Sequence, residues 1–254
     1  MGVAIALFRA LLLLMALVSP AIAEDDSGPA LAARANDAVN QLQTYFDATA
    51  KAGNRPDFSK PPGADLLARI VDLQGLAAQP PPTAQDVNWL IAWSGAVART
   101  LKLITFFGIT PPPGPADAKT MMRNMDEFED PEAALTEMLV RITAGQRVAT
   151  NLLMKSLPPE QLTPIRQDGF NTARIGGEKL IDGALTMLMS ALKPENERRI
   201  SGAMNDTRDI WAADVLPKDR PTLVQETAKA GREVTDGQAR KNLAAFGAAL
   251  AAVH

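Results

Sequence analysis

Four groups of side chains have the residue types that chemistry would need. Asp206, Asp209 and Asp214 flank Trp211, which would suit a pair of acids working against an aromatic sugar platform. Asp206 and Asp209 are neighbours at helical spacing, but Asp214 is displaced around the helix and Arg208 intervenes. A solvated face of alternating charge is the simpler reading. Ser190-Ala191-Leu192-Lys193 matches the S-x-x-K pattern of penicillin-binding enzymes, yet the S-D-N and K-T-G partners are missing and Lys193 directly precedes Pro194. Met121, Met122 and Met125, with Met138, Met154, Met187 and Met189, could offer thioethers to Cu(I). Without a histidine or cysteine beside them they read as gap-filling core residues. Asp126, Glu127, Glu129, Asp130 and Glu132 could attract a hard cation, but their spacing is not that of an EF-hand loop and no turn glycine accompanies them. They read as an acidic helix junction with Asp130 as N-cap.

What is missing from the sequence restricts function further. The single histidine is the last residue, His254, and there is no cysteine. The common zinc, haem and di-iron ligand sets therefore cannot be assembled, and neither can Ser-His-Asp or Cys-His nucleophilic machinery. No phosphate-cradling G-x-x-x-x-G-K-[ST] or G-x-G-x-x-G loop occurs. The sequence thus predicts no catalytic residues, no metal site and no cofactor.

The elements that would carry these groups are helical throughout. Leu31, Ala35, Ala38, Leu42, Tyr45 and Phe46 recur at helical spacing up to Gly53. A proline-bearing loop follows, then a short helix around Leu66 to Leu73, closed by Gln79-Pro80-Pro81-Pro82. Thr83 and Asp86 form a capping-box pattern opening a helix to about Phe107, apolar over most of its circumference and so central in its bundle. Thr110 to Pro115 holds four prolines and cannot continue a helix. Beyond it, Ala116 to Phe128 forms one helix, and Asp130-Pro131-Glu132 opens another to about Lys155. Further segments run to Leu192, from Pro194 to Pro217, and from Pro221 to the end, with a break near Asp236-Gly237. No alternation of period two appears, hence no strands. The expected fold is an all-α helical bundle of about eight helices, in two subdomains, 24–109 and 116–254, joined by the proline-rich linker 110–115.

Gly169, Gly176, Gly183 and Ser190 fall seven residues apart on one of these helices. Each interior glycine costs about 1 kcal/mol against alanine, so the stripe implies either close approach of a neighbouring helix or a groove for an apolar ligand or partner helix. Close packing is the preferred explanation. Gly169, Gly176, Gly183, Met187 and Ser190 are the candidate ligand- or partner-binding residues.

The first 23 residues follow the order of a signal peptide: Arg9, the apolar run Ala10 to Val18, then Ala21-Ile22-Ala23 as a cleavage site. The apolar run is far short of the roughly 20 residues needed to span a bilayer. Removing residues 1–23 takes away one basic residue and no acid, so a formal charge of −3 becomes about −4. A mildly acidic chain with interspersed signs lacks the basic stripe that nucleic acid requires, and no second apolar run is read as approaching membrane-spanning length. The expectation is a cysteine-free, periplasmic or secreted protein of the bacterial envelope. It would bind an unidentified protein partner or apolar small molecule through an inter-helix groove, without chemistry of its own. The alternative is a carboxylate-dependent hydrolase of the cell envelope.

Overall fold

The computed structural model describes residues 25–111, 114 and 116–253; the signal peptide expected at 1–23 lies outside them. Among the described residues the chain is all α, with no strand. Helix α1 (Gly28–Lys51) has Pro29, whose fixed φ suits a helix start, in its first turn, and buries Leu31, Ala35, Ala38, Leu42 and Phe46 along one stripe. Two short helices follow, α2 (Gly63–Ile70) and α3 (Leu73–Ala77), the second capped by Asp72 Oδ1, which accepts from Gly75 N at 2.7 Å. The Thr83/Asp86 capping box is present: Thr83 N donates to Asp86 Oδ2 at 2.7 Å, opening a 3₁₀ turn that runs directly into α4 (Val87–Ile109).

Counted with its 3₁₀ turn, α4 has a mean hydropathy of 1.3 in its most apolar window, enough by length and composition to cross a membrane. That differs from the sequence expectation, in which no apolar run beyond residue 23 approaches membrane-spanning length. Here Leu90, Trp93, Val97, Ile104 and Phe107 are buried against α1 and the helix that follows.

That helix, α5 (Ala118–Ser156), has 39 residues and is therefore about 58 Å long at 1.5 Å per residue. It corrects the expected break at Asp130: Pro131 lies inside it and is buried. An interior proline costs about 3 kcal/mol, and two sets of contacts outweigh that cost. Phe128 and Leu135, on either side of Pro131, belong to one core, so a break would withdraw one of them. Glu129 and Asp130, instead of capping α5, accept hydrogen bonds from Lys193 and Asn196 at the start of α7, at 2.7 to 2.9 Å.

The remainder comprises α6 (Pro164–Leu188), α7 (Pro194–Asp206), α8 (Arg208–Asp214), α9 (Arg220–Glu233) and α10 (Gly237–Ala252). The expected break at Asp236-Gly237 is present, with Asp236 Oδ1 capping α10. Glu197, wholly buried on α7, receives the backbone N–H groups of Thr235 and Asp236 and fixes that corner.

Two hydrophobic cores result, and α5 serves both. One face, Leu135, Met138, Ile142 and Ala149, packs into a core with α1, α2 and α4. Another, Ala133, Val140 and Ala144, packs into a second core built by α6 to α10. The small residues on that second face let α7 lie close, with Ile200, Ala203 and Met204 against it. The first core draws on residues from both sides of the proline-rich segment.

Candidate functional site

An open cleft lies along the seam where α5 serves both cores. Its volume is about 520 Å³, within the usual range of small-ligand sites. One wall is apolar and stiff: Leu73 and Leu76 of α3, Pro80, Pro81 and Pro82, then Trp89 and Leu90 of α4. The prolines have no N–H to offer and little freedom to close the space. Trp89 is held by its indole N–H, which donates to Asp86 Oδ1 at 2.7 Å, so the capping box that starts the helix also sets this ring. Gly28 of α1 makes room behind it; a Cβ there would stand 2.5 Å from the Trp89 ring.

The opposite wall is charged. Glu137, Arg141, Ala144 and Gly145 come from α5, and Asp206, Thr207 and Ile210 from α7 and α8. Arg141 Nε donates to Glu137 Oε1 at 3.1 Å, and its Nη1 reaches Asp206 Oδ2 at 2.9 Å. Arg199 Nε stands 3.3 Å from Glu137 Oε2, which closes a chain Arg199–Glu137–Arg141–Asp206. Two cations and two carboxylates leave this wall neutral as a whole, with fixed dipoles on offer at each end. Behind it Arg147, buried on α5, makes a bidentate bond to Asp214 of α8 at 2.7 and 2.9 Å, and Arg174 of α6 donates to the Asp214 carbonyl. This buried pair locks α8, and hence Ile210 and Thr207, against α5.

The cleft can take an apolar body against the proline–tryptophan wall and orient a polar group on the arginine–carboxylate wall. Among the described residues no cluster of histidine, cysteine, aspartate and glutamate could hold a metal ion. The acids singled out around Trp211 point to separate partners: Asp206 to Arg141, Asp209 to its own neighbour Arg208, and Asp214 to Arg147. Trp211 itself is 1 % exposed and offers no platform. The S-x-x-K pattern also comes apart, because Ser190 Oγ donates to Met187 O while Lys193 Nζ pairs with Asp130.

The five sequence-predicted binding residues are not brought together at one place. Gly169 lines a second groove of about 450 Å³ between α4, α5 and α6, beside Val87, Ile91, Leu153 and Phe170. Gly176 and Gly183 face open space, with nothing within 4 Å of where a Cβ would stand. The close helix approach expected at this stripe is made one residue away: a Cβ on Gly177 would meet the Trp211 ring at 2.9 Å. Met187 is half-buried and takes a hydrogen bond from Thr136 Oγ1 at 3.5 Å, while Ser190 is exposed.

Sequence reading missed Glu137, Arg141, Trp89 as a cleft wall, and the triple proline as anything but a helix stop. The one available signal was Glu137–Arg141 at i,i+4, which any solvated helix face also carries. No protein-family model matches this chain, and no curated protein or solved structure matches it either.

Proposed function

We propose that this protein is an exported helical binding protein of the bacterial envelope, without chemistry of its own, which holds an apolar ligand or a partner's apolar segment in the cleft between its two cores. The observation that carries this reading is the cleft's division into a rigid apolar wall and a neutral wall of fixed charges. Export is supported by the signal-peptide order of residues 1–23. The stripe of Gly176 and Gly183 plays no part in this site.

The test uses the apolar anion 1-anilinonaphthalene-8-sulfonate as a probe. The protein takes it up in a one-to-one complex with a rise in fluorescence. Gly145→Phe, whose side chain projects into the cleft beside Leu90 and Pro82, abolishes uptake, and Gly176→Leu with Gly183→Leu leaves it unchanged. Uptake that survives Gly145→Phe in a folded variant removes the cleft from the account.

A carboxylate-dependent hydrolase remains the second reading, and one observation favours it: Glu137 and Asp206 share the cleft, joined through Arg141. Its signature is hydrolysis of an envelope polymer that is lost in both Glu137→Gln and Asp206→Asn.

A further inference from the structure

Among the side chains that line the cleft, every hydrogen-bond donor is spent within the protein except one. Trp89 gives its indole N–H to Asp86, Gln79 gives its amide hydrogens to Asp26 O and Gly75 O, and Thr207 gives its hydroxyl to Ala203 O. Arg141 commits Nε to Glu137 and Nη1 to Asp206, and its Nη2 makes no hydrogen bond among the described residues. The carboxylates beside it divide in the same way. Both oxygens of Glu137 face a guanidinium, Arg141 at 3.1 Å and Arg199 at 3.3 Å, and its side chain is 10 % exposed. Asp206 is 55 % exposed and meets Arg141 through Oδ2 at 2.9 Å, which leaves its Oδ1 without a partner among the described residues. A free donor and a free acceptor therefore stand on the two sides of one ion contact, each two bonds from an atom of that contact.

The charge balance disfavours an ionic ligand. Glu137, Arg141, Asp206 and Arg199 sum to zero. The other charged residues within three positions of a lining residue are spent as well: Asp72 caps α3, Asp86 holds Trp89 and Thr83, Arg147 pairs with Asp214, and Arg208 with Asp209. A cation would gain Asp206 but stand beside Arg141, and an anion would meet the reverse. A secondary amide satisfies both, since its C=O accepts from Nη2 while its N–H donates to Oδ1 and neither charge is opposed.

We infer that the cleft selects a neutral apolar molecule carrying a secondary amide, the amide bridging Arg141 Nη2 and Asp206 Oδ1 and the apolar body lying on Trp89, Pro80, Pro81 and Pro82. This rests on the cleft being the binding site and adds the chemistry it recognises.

Displacement of 1-anilinonaphthalene-8-sulfonate from the wild-type chain tests it. N-octylacetamide displaces the probe with an affinity about fivefold higher than octyl acetate, which keeps the C=O and lacks the N–H. Burial alone gives the opposite order, because the amide has an extra polar group to desolvate. Decanoate and decylamine, of similar length and opposite charge, both bind more weakly than the amide. In Asp206→Ala the advantage of amide over ester falls to about onefold while the affinity of the ester is unchanged, a coupling that damage elsewhere in the fold does not produce. Should that variant fail to fold, the order of the four compounds on the wild-type chain decides. An ester that equals or exceeds the amide, an ion that binds more tightly than the amide, or an amide preference retained in full by Asp206→Ala overturns the inference and leaves the cleft standing as a binding site. Failure of the probe to bind, or probe binding that persists in Gly145→Phe, removes the cleft and the inference with it. A blocked dileucine peptide that displaces the probe more tightly than N-octylacetamide keeps the amide and assigns it to a polypeptide segment.

Discussion

At the scale of single residues, the seam depends on ions placed where water cannot reach them. Arg147 and Asp214 have side chains 2 % and 5 % exposed. Removing one member of such a pair leaves the other charge buried alone, at a cost of about 3–5 kcal/mol. Arg147→Met should lower stability by that amount in urea denaturation, and Arg147→Met with Asp214→Leu should recover most of it. Glu132 is the converse case: burial pushes its carboxyl above the ordinary 4.5, against the opposing hydrogen bond from Thr105. A carboxyl that holds its proton more tightly when folded makes the fold less stable as pH rises from about 4.5 through the raised value. Glu132→Gln keeps an acceptor for Thr105 and should therefore stabilise the protein at neutral pH, with no gain near pH 4. Equal gains at both pH values would show that titration is not the cause. Neither residue was distinguishable in sequence, because an arginine or glutamate on a helix looks the same whether its partner is water or a side chain 67 positions away.

At the scale of elements, the helix periods were legible and the points where tertiary contacts override them were not. Thr83 and Asp86 announced the start of α4, and Asp236-Gly237 the gap before α10, since both are local signals. Pro131 reads locally as a helix start, but it lies mid-helix because the packing of Phe128 and Leu135 and the anchoring of Glu129 and Asp130 lie on other segments. Glycine gives the same lesson in adjacent positions. Gly176→Ala should stabilise α6 by up to about 1 kcal/mol, since the new methyl meets nothing. Gly177→Ala should destabilise despite the same gain in propensity, because the fully packed Trp211 ring must move. Thermal melts of the two variants should therefore shift in opposite directions, and shifts of like sign would mean that α6 does not lie on Trp211. Ala191, at φ 60° just past the end of α6, occupies the left-handed region that favours glycine.

At the scale of the whole molecule, one helix serves two cores, and the cleft follows from that. Had α5 broken at Asp130, its faces could have turned independently, and Glu137, Arg141 and Gly145 would not be held opposite Trp89 and the three prolines. The all-α class was legible because it is a sum of local periods. The cleft was not, because its walls come from α3, α4, α5, α7 and α8 and meet only in the folded chain. Native mass spectrometry of the protein isolated from its own cells without harsh washing, beside its Gly145→Phe variant, tests whether the cleft is a binding site. A cleft that is occupied in the cell gives a bound small molecule or partner segment on the wild-type chain that is missing from the folded variant; a bare wild-type chain, or an adduct that the variant retains, means that the cleft is not that site.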